Sequence, residues 1–422
     1  MSVRGSAWIL FAALLFLPCV TSAAYPALTL QYRHFLFTVD PDQYPEWHAS
    51  TEVWTYQNVP IAPLPSFRVD GDTVPPLPDG VTKQVIPGWN RDAIRTVLAQ
   101  QVGEVLQRDA GSVTIRRDAE GTILFDGVGM LGRTLNLDVA VDLVIAALEQ
   151  GISTVILPVE EQQPLVRVED DELTSLGIRE VVAIGESDFS GSPSARQHNI
   201  GVGLSRFNGH LIPQGEEFSF NEVLGPVNSS TGYRQELVIL GERTLPDFGG
   251  GLCQVSTTAY RGVWEYGFPI EDRRNHSYVV RYYSPQGTDA TIYPPHTDMR
   301  FLNDGPSALL IQTHHDEQGH AYFLYYGTRD SRTAQIIGPY TWGHTDPPPD
   351  RTEYTTEIPP GTTRKVGERV PGMRAAWYRI VQSPLAAEEK VEPVYSAYEA
   401  RPRFTQIGAV SDVQPCTSLI CP

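Results

Sequence analysis

Apolar residues between Trp89 and Arg108 fall at Ile94, Val97, Leu98, Val102, Val105 and Leu106. Steps of three and four predict one amphipathic helix, with Asn90 placed to cap it. Before it, the stretch from Tyr25 to Tyr56 is rich in aromatic and β-branched residues and reads as extended strands. Residues from Asn58 to Pro87 carry prolines and Asp/Gly turns and read as a loop or linker. After it, Ser112 to Arg117 and Thr122 to Phe125 read as strands. Asp138 to Gln150 reads as a second helix, capped by Asp138 and stopped by Gly151, and Thr154 to Val159 as another strand. Two helices on a small sheet predict an α+β domain over residues 25–168.

In the next segment, Ile200, Leu204, Phe207 and Leu211 share a helical face that Gly209 to Pro213 ends. EEFSFNEVLG reads as a strand and turn, and GYRQELVILGERTLPDF as a hairpin. Val255, Ala259, Val263 and Trp264 then mark a buried helical face closed by Gly267 and Pro269. YVVRYY at 278–283 reads as a strand, and the alternating runs between Phe301 and Thr328 complete a mixed α+β domain over 190–335. HTDPPPDR at 344–351 forms a stiff linker. Strands and turns from 352 to 410 form a β-rich module, followed by a tail at 411–422. The expected fold class is α+β and multidomain.

Composition narrows the partners. The chain has 422 residues with 32 Lys and Arg against 50 Asp and Glu, a net charge of −18. That balance opposes binding to nucleic acid or to an anionic membrane surface. Residues 1–24 hold Arg4, an apolar run and then small residues, which read as a secretory signal cleaved after Ala23 or Ala24. With the signal removed, no other stretch reads as a membrane span, so the expectation is an exported protein that is not integral to the membrane.

Cysteine arithmetic then isolates one thiol. Of four cysteines, Cys19 leaves with the signal, and Cys416 and Cys421 lie close enough in the tail to pair. Cys253 is left over, a candidate reactive group in an oxidising compartment. It follows Gly249, Gly250 and Gly251, whose bare backbone a ligand can approach closely. It also opens a helix, where free amides favour a thiolate and can hold an oxyanion. His276 is its candidate base or imidazolium partner, and Asp289 the acid that would orient that imidazole. The competing reading is a small buried hydrophobe at Cys253 and a structural His. Arg273, Arg274 and Arg281 offer charge for substrate carboxylates, whereas Arg196, His198 and Asn199 read as helix-start residues that either line the site or solvate the helix. His296, His314, His315 and His320 have no spacing that completes a zinc set, so neither a metal nor any other cofactor is expected.

ARQHNI at 195–200, PQGEEFSFNEVLGP at 213–226, GGGLCQVSTTAY at 249–260, NHS at 275–277 and PQGTDATIY at 285–293 together resemble the VanW family, named from a protein of vancomycin-resistance clusters. Similarity to members acting as cysteine L,D-transpeptidases implies Cys253 as nucleophile and His276 as its partner in peptidoglycan cross-linking. The motif neighbours Gln254, Ser256, Asn275 and Ser277 join the three glycines as candidate substrate-binding positions. The pattern around LNLDVAVDLVIAALEQG resembles a peptidoglycan-binding domain that precedes VanW-like domains. EIPPGTTRKVGERVPGMRAAWYRIV and RPRFTQIG resemble a five-glycine β module, which implies binding of an amino-sugar glycan. The combined expectation is a secreted, wall-associated protein acting on stem peptides. The alternative is a non-catalytic wall-binding protein in which Cys253 is structural.

Overall fold

The computed structural model describes residues 25–57, 59–61, 79–240, 243–384 and 388–409. The signal at 1–24, the tail at 411–422 and their three cysteines lie outside the described residues. The chain divides into two compact units. One comprises residues up to Leu30 with Thr38–Arg95 and Val141–Val155; the other comprises Gln31–Phe37, Thr96–Ala140 and everything from Ile156 onward. The architecture is mixed α+β, built from several small sheets.

In the first unit, strand β1 (His48–Tyr56) pairs antiparallel with β2 (Val81–Trp89) over nine residues, with Trp47 fully buried at its start. The 58–87 segment is therefore not all loop. Its last residues form β2, because alternation around Val81, Val85 and Pro87 suits an exposed two-sided ribbon. Asn90 Oδ1 accepts from the Ala93 amide at 3.2 Å and starts helix α1 (Arg91–Leu98) as the sequence implies. A wide π-type turn at Ala99–Gly103 then shifts the helical phase. Val105 is consequently rotated out and 59 % exposed, while Val102 and Leu106 stay buried.

From Thr96 the chain enters the second unit, where two strands, β3 (Ser112–Arg117) and β4 (Ile123–Val128), form an antiparallel pair. Helix α2 (Leu137–Gln150) follows, and its cap is Asn136, two residues before the expected Asp138: Asn136 Oδ1 accepts from the Val139 amide at 3.3 Å. β5 (Leu165–Val168) then adds to β3 in parallel.

The second unit is centred on an antiparallel sheet in which β6 (Glu180–Asp188) pairs with a later hairpin. Between them lie helix α3 (Ser194–Ser205), the hairpin β7 (Gln235–Leu240) and β8 (Arg243–Phe248), and helix α4 (Leu252–Tyr266). The segment read as strand and turn is a short strand, Glu217–Ser219, running straight into a helical turn, Phe220–Leu224, capped by Ser219. The later hairpin is β9 (Leu309–His315) and β10 (His320–Gly327), with β10 between β6 and β9.

Helix α4 is the centre of this unit, and every one of its residues except Cys253 is buried. Val255, Ala259, Val263 and Trp264 join a core with Phe207, Phe323 and Tyr325. Its polar face is buried as well, so each group there needs a partner. Thr257 Oγ1 accepts from the Ala290 amide at 3.0 Å, Ser256 Oγ donates to the Ala290 carbonyl at 2.5 Å, and Thr258 Oγ1 lies 2.6 Å from Ser187 Oγ. Arg261 donates to the carbonyls of Tyr283 and Ser284, both at 2.9 Å.

The helix crosses β6 in backbone contact. A Cβ on Gly185 would sit 1.9 Å from the Thr258 carbonyl oxygen, and one on Gly262 would sit 2.6 Å from the Gly185 nitrogen. Neither atom is a side-chain end that can swing away. Gly185→Ala is therefore expected to destabilise the protein by about 3 kcal/mol, read as a lowered denaturant midpoint.

A further sheet is formed by β11 (Thr333–Thr345), β12 (Gly372–Gln382) and β13 (Lys390–Tyr398), in the order β11-β12-β13. One face of this sheet is welded to α4. Trp377 is fully buried and edge-on to Trp264, and Arg379 donates to the carbonyls of Trp264 and Phe268 at 2.9 and 2.8 Å. A cation thus meets backbone carbonyls where α4 ends, at Gly267 with φ 105°. Short strands Arg351–Thr355, Thr363–Val366 and Phe404–Gly408 make a separate three-stranded sheet. No described helix is long and apolar enough to cross a membrane.

Candidate active site

Gly251, with φ 112°, breaks the chain out of the hairpin and places Cys253 in the first turn of α4. The Leu252 amide donates to Gly249 and the Gln254 amide to Gly251, at 3.0 and 2.9 Å; the Cys253 amide between them has no such bond to a described residue. That amide is the donor available for an oxyanion. The sulfur lies 3.4 Å from Thr291 Oγ1 and 3.7 Å from the Ile292 carbonyl oxygen.

His276 is buried and stacks on Tyr283, ring centroids 4.4 Å apart. Its Nδ1 lies 2.6 Å from Asp289 Oδ2, and its amide donates to the same oxygen at 2.8 Å. Asp289 is buried in turn. Its Oδ1 accepts from the Tyr398 hydroxyl at 2.5 Å and from Arg273 at 3.3 Å. Such clamping fixes the imidazole with Nε2 outward. Nε2 has no hydrogen bond of ordinary length and angle, yet the imidazole is near enough to the sulfur to move its titration. Loose geometry of this kind is common before substrate binds.

The titrations agree with an ion pair. Burial disfavours the thiolate, but the His276 imidazole, the Thr291 hydroxyl and the Ile292 backbone bring Cys253 below its ordinary value. Burial likewise disfavours the imidazolium, but Asp289 and the sulfur raise His276 to about 9. Asp289 is pushed up by burial and pulled well below the carboxylate range by His276 and Arg273. Because folded His276 keeps its proton above its unperturbed value of 6.5, its contribution to stability is full below that pH. It is lost as pH rises toward about 9. Iodoacetamide at pH 6 is expected to modify Cys253 about tenfold faster than free cysteine, and His276→Ala to remove that excess.

Cys253 and His276 line a cavity of about 470 Å³, together with Arg196, Tyr282, Tyr283 and the β7 residues Glu236 to Ile239. That size suits a small ligand or peptide segment. A larger cavity of about 760 Å³, beside Glu186 and Arg261, shares only Tyr282 with it and holds no thiol.

The other candidate positions fall into distinct places. Gly249, Gly250 and Gly251 line the cavity, but their missing side chains are explained by packing against protein. A Cβ would meet Val227 at 2.6 Å, Glu236 and the Leu237 carbonyl at 2.8 Å, and Arg196 at 3.0 Å, respectively. Gln254 is fully buried between Arg196 and the Asp188 carbonyl, and Ser256 is committed to Ala290. Asn275 donates to the carbonyls of His276 and Ala397, both at 2.7 Å, and the Ser277 carbonyl accepts from the Glu399 amide. These four brace the site and do not line the cavity.

Arg273 is occupied by Asp289 and by the Ser396 hydroxyl, and the Arg281 guanidinium lies over the Tyr282 ring. Arg274 joins Thr291 in an isolated backbone bridge. YVVRYY is not a strand: it ends in a 3-10 turn, Arg281–Tyr283, which brings Tyr283 under the imidazole. Arg196 and Asn199, left open between site and solvent by the sequence, are buried. Asn199 Nδ2 donates to the Gly250 carbonyl at 3.1 Å, whereas His198 Nε2 lies 2.9 Å from the Gly232 carbonyl on the surface. Tyr398 and Thr291 carried no signal of their own, although Thr291 lies within the PQGTDATIY motif. The described residues contain no group of three or more His, Cys, Asp or Glu placed to hold a metal ion.

Residues 195–325 match the family described as VanW like protein. The chain is 35 % identical over 124 residues to the uncharacterized protein YoaR of Bacillus subtilis, which is 29 % of this chain and 41 % of that protein. It is 29 % identical over 111 residues to the vancomycin B-type resistance protein VanW of Enterococcus faecalis, 25 % of this chain and 40 % of that protein. The chain thus spans about two fifths of the length of each relative, and the segment bearing Cys253, His276 and Asp289 is VanW-like.

Proposed function

We propose that the VanW-like segment is a cysteine acyltransferase acting on peptidoglycan stem peptides, in a protein exported to the cell wall. The observation that carries this reading is a thiol at the start of a buried helix, facing a cavity beside an imidazole that Asp289 fixes. The Cys253 thiolate attacks a peptide carbonyl, and the oxyanion is held by the Cys253 amide. The C–N bond then breaks, and the His276 imidazolium gives its proton to the departing amine. This leaves a thioester and a neutral imidazole. An incoming amine attacks the thioester, its proton passes to His276, and the C–S bond breaks to regenerate the thiolate–imidazolium pair. Water in place of the amine gives hydrolysis.

The flanking regions fit wall attachment. Residues 25–168 supply the proposed peptidoglycan-binding part. On the outer face of the β11-β12-β13 sheet, Tyr340, Trp342 and Tyr395 are 54, 42 and 61 % exposed. Flat aromatic surface of this kind suits stacking on sugar rings. Sequence charge of −18 disfavours nucleic acid as a partner. A second reading, a non-catalytic wall-binding protein, draws on the contacts of the sulfur with Thr291 and Ile292, which also suit a structural cysteine.

Product masses separate these readings. Peptidoglycan fragments incubated with the protein should yield cross-linked or shortened stems, the former for transfer and the latter for hydrolysis. Fragments that bind and emerge unchanged would leave the wall-binding reading.

A further inference from the structure

Several buried cations in this fold are matched by anions. Arg133 pairs with Glu186, Arg273 with Asp289, Arg332 with Asp304 and Asp330, and Arg379 with Glu392. Arg261 has no carboxylate but donates to backbone carbonyls. Arg196 has neither. It is 8 % exposed, and its hydrogen bonds go to Ser192 Oγ at 2.8 Å, Gln254 Oε1 at 3.1 Å and the Tyr283 hydroxyl at 3.4 Å, with the Tyr282 ring 4.1 Å away. Each of these partners is neutral. A buried charge without an opposite charge is costly, and the cost is recovered when an anion enters.

The place where that anion would enter is the nucleophile's own cavity, which Arg196 lines together with Cys253. The two are close through the backbone, since a Cβ on Gly251 would meet Arg196 Cγ at 3.0 Å. The thiolate already has His276 as its counter-charge. Arg196 is therefore left for a second anion. Glu236 lines the same cavity with its Oε1 accepting from the Leu237 amide, so the cavity has an acidic as well as a basic wall.

From this we infer a carboxylate subsite on Arg196 beside Cys253, which selects donor peptides carrying a free carboxylate next to the carbonyl that is attacked. The inference rests on the reading of Cys253 as the acylated residue. A planar guanidinium held by Ser192 and Gln254 is pre-set for a carboxylate, and Tyr282 keeps it oriented. Amidation of that carboxylate removes the charge and with it the preference.

The subsite is tested with two alkylating probes of nearly equal size, anionic iodoacetate and neutral iodoacetamide, at pH 8.5. At that pH free cysteine is itself about half ionised, so the comparison reads the charge of the probe more than the ionisation of the thiol. The rate ratio of iodoacetate to iodoacetamide is expected to exceed that of free cysteine, to fall about tenfold in Arg196→Gln and to keep its direction in Arg196→Lys. Glu236→Gln is expected to raise it.

A ratio that Arg196→Gln leaves unchanged overturns the subsite. Loss of low-pH thiol reactivity would instead count only against the nucleophile, so the two failures are distinguishable. Should Arg196→Gln not fold, the intact protein decides. N-acetylalanine is expected to slow modification by iodoacetamide at concentrations where N-acetylalaninamide does not, and equal protection by the two would overturn the proposal.

Discussion

Cys253→Ala is expected to abolish formation of new cross-links and of shortened stems from peptidoglycan fragments, with a loss of at least about 10³-fold against the intact protein. The sulfur is the atom that forms the covalent intermediate in the proposed reaction, and Ala leaves no substitute. Fold is preserved, because Cys253 is the one α4 residue that is only partly buried and Ala suits a first helical turn. The variant loses the contacts with Thr291 and Ile292 and the pairing with His276, so a stability cost of about 2 kcal/mol is expected. Binding of fragments should therefore persist in the variant. Mass spectrometry of the fragments, with a thermal melt as control, checks the result. Turnover retained by the Ala variant would remove Cys253 from the mechanism.

The second large effect is expected at Asp289. Asp289→Asn keeps the size of the side chain but removes the charge that holds His276 protonated at about 9. It also offers an amide N–H where Nδ1 needs an acceptor, so the imidazole turns its free electron pair toward residue 289 and its N–H toward the sulfur. In a serine triad the same exchange costs about 10⁴-fold, and a loss of that order is expected here. Tyr398→Phe makes the informative contrast. It removes one of two donors to Asp289 Oδ1 and leaves Arg273 and His276 in place. Its expected loss is about tenfold in kcat with KM unchanged, because Asp289 and with it His276 are seated less firmly. Equal losses in the two variants would mean that Tyr398 supports the fold of this region and not the charge on Asp289.

Much of the site could be read from the chain because its parts are local. Cys253 follows three glycines and opens a helix with a clear apolar period, and His276 and Asp289 lie within short motifs nearby. What periodicity missed follows from burial on both sides of α4. The apolar stripe of Val255, Ala259 and Val263 pointed to one covered face and carried no sign that Thr257, Thr258 and Arg261 are covered as well. They are buried because the loop at 283–290 supplies carbonyls and an amide for them, and hydrogen bonds of that reach leave no spacing signal. The same loop explains YVVRYY, whose β propensity gives way to a turn that seats Tyr283 under His276. Tyr398 was invisible for a further reason: its partner lies 109 residues earlier. At Val105 a one-residue change of helical phase defeated a pattern that was otherwise right.

The bond from Tyr398 to Asp289 also has a meaning in time. A chain is made from its amino end, so the thiol, the imidazole and the carboxylate all leave the ribosome long before β13 does. Arg273 likewise waits for Ser396, and Asn275 for the Ala397 carbonyl. Until those residues arrive, Asp289 lacks its hydroxyl donor and the segment carrying His276 lacks its backing strand. On the proposed mechanism the thiol is thus kept poorly activated through most of synthesis, until β13, one of the last strands to be made, arms it.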